Sequence, residues 1–341
     1  MNKYSLFGKF LFGENDIFSF SRDYNLLCVF NKNYKISKVD FLPGENYFSK
    51  NLISEVIEWK DKLIFVPKNI TNLYIKDGNE FRLIDLSEVV ENGLNNKFEC
   101  AFLVDDYLYL FGHWASQIVE INLAEERVEY NYRIPDEYVL MKEKKQDAFF
   151  SNYYYENNKV FLPFLSAGYI AILDLKTKNV EWKKVRGANS GFSSIIGVSD
   201  ERYIMPCRGN GVYVLDKTFE IKDYLFENID FTSALGMCLK GDNVLIPCYR
   251  DGVYSININS NKCDKNEGIM CWGMSCDKED YYVTSNEGLI LLSGNEKRTL
   301  SLDFSGINDL INQNEKRDIF HNEDIIFEND LFSIDNFIYN I

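Results

Sequence analysis

Glu201-Arg-Tyr-Ile-Met-Pro-Cys-Arg-Gly-Asn-Gly-Val-Tyr-Val-Leu-Asp216 and Asp242-Asn-Val-Leu-Ile-Pro-Cys-Tyr-Arg-Asp-Gly-Val-Tyr-Ser-Ile-Asn257 are two copies of one unit. Each holds a short apolar run, Pro-Cys, an arginine, a glycine, and a second run built on Val-Tyr. Short runs of branched and aromatic residues flanking a glycine-bearing loop read as paired strands. Asn158-Lys-Val-Phe-Leu-Pro163 with Gly168-Tyr-Ile-Ala-Ile-Leu-Asp174 has the same plan, as does Asp61-Lys-Leu-Ile-Phe-Val-Pro67 with Asn72-Leu-Tyr-Ile75. A fifth copy without proline is Asp106-Tyr-Leu-Tyr-Leu-Phe-Gly112 with Gln117-Ile-Val-Glu-Ile-Asn122. Two weaker ones are Asp16-Ile-Phe-Ser-Phe20 with Leu26-Leu-Cys-Val-Phe30, and Asp280-Tyr-Tyr-Val-Thr284 with Gly288-Leu-Ile-Leu-Leu292.

Each central hairpin is flanked by an earlier and a later strand, such as Phe192-Ser-Ser-Ile-Ile-Gly-Val198 and Phe219-Glu-Ile-Lys-Asp-Tyr224 around the Glu201–Asp216 copy. The turns carry Asp-Lys, Asn-Asn and Gly-Asp, which suit reversals. Four short strands recurring about every 45 residues is the period of a β-propeller blade. A single blade cannot bury both faces, so the copies must stack. The expected fold is therefore all-β, a seven-bladed β-propeller over residues 1–305. A short tail, 306–341, follows it. Pro67, Pro163, Pro206 and Pro247 are expected at one equivalent position that ends the second strand, where a residue without an N–H is tolerated.

The segment Ile172-Leu-Asp-Leu-Lys-Thr-Lys-Asn-Val-Glu-Trp182 resembles the strand–turn–strand of quinoprotein-type and related propeller repeats. No Trp-Asp dipeptide ends the third strands and no Gly-Gly pair marks them, so the WD-repeat and kelch signatures are missing. The chain as a whole resembles the weakly marked bacterial propeller repeat proteins. That resemblance implies a fold and no activity.

In the tail, Ile307, Leu310 and Ile311 are helically spaced, as are Leu331, Ile334, Phe337, Ile338 and Ile341. An amphipathic helix is expected, docked on the propeller or on a partner.

The formal charge of −15 disfavours bulk nucleic-acid binding, because such a surface repels phosphate backbones. No run of apolar residues is long enough for a transmembrane helix, and no membrane association is expected. The first ten residues lack the pattern of a secretory signal, and the eight cysteines are scattered without a CxxC pair. A cytoplasmic location and no disulfide are expected. Cys207 and Cys248 both follow a proline and are expected to be equivalent small core residues.

Only His113 and His321 are histidines, which argues against a His-dependent metal or acid–base centre. No metal site, cofactor or catalytic residue is assigned. Carboxylates such as Glu55, Glu58, Asp105, Asp106, Asp230 and Asp280 are read as turn and surface residues. The loop between second and third strands is different. It carries Arg22, Lys68, His113, Arg208 and Arg250 in five copies, while the fourth and seventh have Leu165 and Asn286. In a propeller such loops surround one mouth, and arginine offers a planar fork for carboxylate or phosphate. The expectation is a non-catalytic scaffold that binds an unidentified protein or anionic ligand there, as an accessory to an enzyme or alone. The alternative is a carbohydrate- or peptide-active hydrolase or lyase using carboxylates or arginine at the mouth.

Overall fold

The computed structural model describes residues 7–313, apart from 92, 146–147, 199, 232–233, 250, 268–269, 278–279, 286–287 and 294–295. These residues form seven four-stranded antiparallel sheets, each of four consecutive strands. The chain is a seven-bladed β-propeller. Its blades span Phe7–Asp40, Ile53–Asp85, Phe98–Arg133, Tyr154–Lys184, Phe192–Asp230, Cys238–Asn266 and Cys271–Leu300. They fall into two compact units, blades 1, 2 and 7 in the first and blades 3 to 6 in the second.

Pro67, Pro163 and Pro206 end second strands as expected and Pro247 lies one residue before the end of its own, so the prolines take two positions rather than one. Counted from the hairpin turn, Pro67 and Pro206 are the sixth residue of Lys62–Pro67 and Glu201–Pro206. Pro163 and Pro247 are the fifth residue of Lys159–Pro163 and Asn243–Cys248. The consequences differ because successive residues of a middle strand send their N–H groups to opposite neighbours. In blades 2 and 5, pairing with the third strand stops early, at Phe65↔Tyr74 and Ile204↔Tyr213. Pairing with the first strand runs on to the proline there. In blades 4 and 6 the reverse holds. Pairing with the first strand stops at Tyr154↔Phe161 and Cys238↔Leu245, leaving three-residue first strands, while the third strand pairs through the proline.

The same one-residue offset separates the two cysteines. Cys248 is the sixth residue of its strand and is buried; Cys207 lies one residue beyond the strand and is half-buried. Among the described residues Cys28, Cys100, Cys207, Cys238, Cys248, Cys263 and Cys271 form no disulfide.

In the first unit, blade 7 meets blade 1 along their first strands. Phe10 N donates to Ser275 Oγ at 2.7 Å and Thr284 Oγ1 to Gly8 O at 2.8 Å. The chain leaving blade 7 then crosses to the outer edge of blade 1. There Ile36 N donates to Asp303 O, Asp303 N donates to Tyr34 O, and Phe304 stacks on Phe7 with centroids 5.7 Å apart. Blade 4 is linked to blade 5 by the same kind of parallel bridge, Arg186↔Glu220. The join between last and first blade therefore reuses an ordinary inter-blade link. Helix α1 of the tail follows at Ile307–Gln313, with Ile307 and Ile311 buried. Residues 331–341, where the second apolar stripe falls, lie outside the described residues.

A further helix, α2, spans Asp136–Lys145 between blades 3 and 4 and was not expected. Its start is marked by Pro135 and by Asp136 and Glu137 in the first turn. Its buried stripe is Tyr138 and Lys142, one turn apart. An apolar-periodicity reading misses it because half of that stripe is a lysine.

Blade interfaces are apolar, with buried or half-buried cations set among the aromatics. Lys76 reaches Asp40 of the preceding blade at 2.7 Å, Lys178 reaches Glu120 at 2.6 Å, and Arg202 pairs with Glu156. In all three the cation comes from the later blade and lies over aromatic rings, Phe81, Tyr107 and Tyr109, and Tyr154 and Phe161 respectively.

Candidate functional site

The loops after the second strands are tied to the segments that enter the first strands. In the first unit Asn51 N donates to Arg22 O at 2.7 Å, and Lys68 N donates to Leu52 O at 2.8 Å. Arg22 of blade 1 and Lys68 of blade 2 are thus joined through two consecutive residues. In the second unit Phe149 N donates to His113 O and Leu165 N donates to Phe149 O, while Cys207 N bonds Gly191 O. The backbone brings equivalent loop positions of neighbouring blades together, so a side chain there has a defined neighbour.

The five basic residues do not share one position. Arg22, Lys68 and His113 follow the sixth residue of their second strands directly. Arg208 comes one residue later, its place at the first position being taken by Cys207. Arg250 lies outside the described residues.

Their surroundings differ as well. His113 is a structural donor: its Nδ1 lies 2.8 Å from Phe150 O, an acceptor that requires the proton on Nδ1. Lys68 is buried, and Arg208 is exposed. Arg22 is half-buried on a rigid loop, where the buried Ser21 Oγ accepts the N–H groups of Asp23 and Tyr24, each at 3.1 Å. The Asn25 side chain fixes the far side of that loop through Leu42 N and O at 2.9 Å. The Arg22 side chain crosses Gly8 of the first strand, with Cδ 3.6 Å from where a Cβ would lie.

Several other inward-facing cations have visible partners. Besides the three inter-blade pairs, Lys142 Nζ donates to Trp114 O at 2.9 Å and Lys97 Nζ donates to Leu94 O. Burial lowers the pKa of both lysines from the ordinary value. Arg22 stands apart: among the described residues no hydrogen bond or ion pair engages its guanidinium. Of the carboxylates singled out by sequence, Glu55 pairs with Lys9 at 2.8 Å on neighbouring first strands, and Asp105 sits in a hairpin turn with φ 52°.

One residue beside this loop was not foreseen. Phe48, on the segment joining blades 1 and 2, is 39% exposed and meets Tyr24 edge-on at 6.3 Å. Sequence gives no sign of it, because nothing in a connecting segment distinguishes an outward from an inward phenylalanine.

No protein-family model and no curated protein sequence matches the chain. Its structure is similar to that of a catalytically inactive virginiamycin B lyase from Staphylococcus aureus solved with quinupristin. The TM-score is 0.63 at 11% identity, over 85% of this chain and 95% of that one. A computationally designed protein, Ika8, is similar over 87% of this chain and 88% of its own, with TM-score 0.58 and 11% identity. PorZ, a surface component of the type-IX secretion system of Porphyromonas gingivalis, matches 89% of this chain with 39% of its own, at TM-score 0.58 and 14% identity. At these identities the likeness is one of fold.

Proposed function

We propose that this propeller is a non-catalytic binding scaffold that holds an anionic ligand or acidic partner surface at its second-to-third-strand loops. The observation that carries the reading is Arg22. It is a half-buried arginine on a pre-formed loop, backbone-tied to the blade that carries Lys68, and among the described residues no carboxylate pairs with it, in a chain of charge −15. With 52 acidic residues in the chain, an internal partner would be easy to supply. A fork presented this way suits carboxylate or phosphate. The lyase among the structural neighbours shares the architecture at 11% identity and lends no residue to a reaction in this chain.

The test uses immobilised poly-L-glutamate as the anionic probe and the full chain. Arg22→Glu is expected to weaken binding at least tenfold, since a charge-assisted contact is worth about 1.5–3 kcal/mol. Lys60→Glu makes the same change in net charge at the hairpin turn at the other end of a second strand, and it is expected to leave affinity within about twofold. Equal losses in the two variants would mean that only net charge matters and would overturn the reading.

A further inference from the structure

Resting on that reading, we propose that Arg22 and Phe48 form a two-pronged docking site for an acidic peptide segment of a partner protein. The segment places a carboxylate on Arg22 and an apolar side chain, one or two residues away, on Phe48. The two prongs are neighbours by backbone geometry. Tyr24, two residues after Arg22, is in ring contact with Phe48, and Asn51, three residues after Phe48, donates its N–H to Arg22 O. Both prongs are held by fixed elements: Ser21 and Asn25 clamp one loop, and Asn25 N donates to Tyr47 O at 2.9 Å, pinning the segment that bears Phe48.

A free inorganic anion would use Arg22 and leave Phe48 in water. A purely apolar ligand would leave the Arg22 guanidinium unpaired. A peptide with adjacent acidic and apolar side chains satisfies both, and arginine and aromatic residues are the side chains that dominate interface energetics. Among the described residues no carboxylate is paired with the guanidinium. Glu45 accepts the Tyr74 hydroxyl at 2.9 Å. The chain's net charge opposes long-range attraction of an acidic segment, so affinity comes from close contact and slow release rather than steered encounter.

The experiment is selection of a displayed random twelve-residue peptide library on the full chain, followed by titration of the enriched peptides in solution. The expected result is enrichment of Asp or Glu within two residues of Leu, Ile or Phe. Arg22→Ala and replacement of the peptide carboxylate by its amide should each weaken binding about tenfold. Phe48→Ala should weaken it about fivefold, with unchanged thermal unfolding in both protein variants. Peptides that respond to Arg22→Ala but not to Phe48→Ala would overturn the two-pronged site and leave the anion-binding reading standing. Peptides indifferent to Arg22→Ala, or no enrichment at all, would overturn the site.

Discussion

Gly273→Ala is expected to lower stability by about 3 kcal/mol, near the upper end for overpacking, and to drop Tm by about 5 °C. A Cβ at Gly273 would sit 1.9 Å from Gly8 O and 2.7 Å from Gly8 C, on the first strand of the adjoining blade. Those atoms are backbone, and they are held in place by the Thr284 and Ser275 hydrogen bonds across the same joint. Relief therefore requires the two strands to part. Gly8→Ala is the matched control: its Cβ would meet only Arg22 Cδ and Nε at 3.6 and 3.7 Å, an ordinary contact, and the cost should stay below about 1 kcal/mol. Denaturant unfolding of the two variants checks the pair. Equal stabilities would contradict the close approach of blades 7 and 1.

Lys178→Met is expected to cost on the order of 3 kcal/mol, the lower end for breaking a buried pair because the lysine side chain is itself about a third exposed. Met keeps the aliphatic packing over Tyr107 and Tyr109 but leaves the buried Glu120 carboxylate without its cation. Lys178 Nζ also donates to Tyr109 Oη at 2.6 Å, so the hydroxyl loses a donor in the same step. Adding Glu120→Gln to Lys178→Met should restore most of the loss, since an amide costs far less to bury than an unpaired charge. A double variant no more stable than the single one would show that the loss does not come from an unpaired Glu120 carboxylate.

The repeat was legible because each hairpin carries its own strand periodicity and turn residues. That local signal sufficed for seven blades and for the stretch of α1 at Ile307–Gln313. What escaped were one-residue offsets. A proline at the fifth or sixth strand position looks the same in sequence, yet it removes a hydrogen bond toward a different neighbour and sets which ladder is cut short. The same offset separates Cys207 from Cys248, and a cysteine inserted after Pro206 sets Arg208 one residue beyond the position of Arg22, Lys68 and His113. Of the candidate site, Arg22 and its loop position were readable, as was its neighbour in blade 2, Lys68. The carbonyl that occupies His113 and the exposed ring of Phe48 were not, because both depend on contacts between segments distant in sequence. Helix α2 escaped for a related reason, its inward lysine being stabilised by the carbonyl of Trp114, which no periodicity encodes.

The most direct measurement of where this protein binds is amide hydrogen exchange of the wild-type chain with and without poly-L-glutamate. Exchange reports protection segment by segment and needs no substitution. Slowed exchange is predicted in residues 21–26, 47–52 and 67–72, the loop end that holds Arg22, Phe48 and Lys68. No change is predicted in the turns at 13–15, 60–61 and 78–79, at the other end of the same strands. Protection confined to those turns, or spread evenly over both ends, would contradict the account.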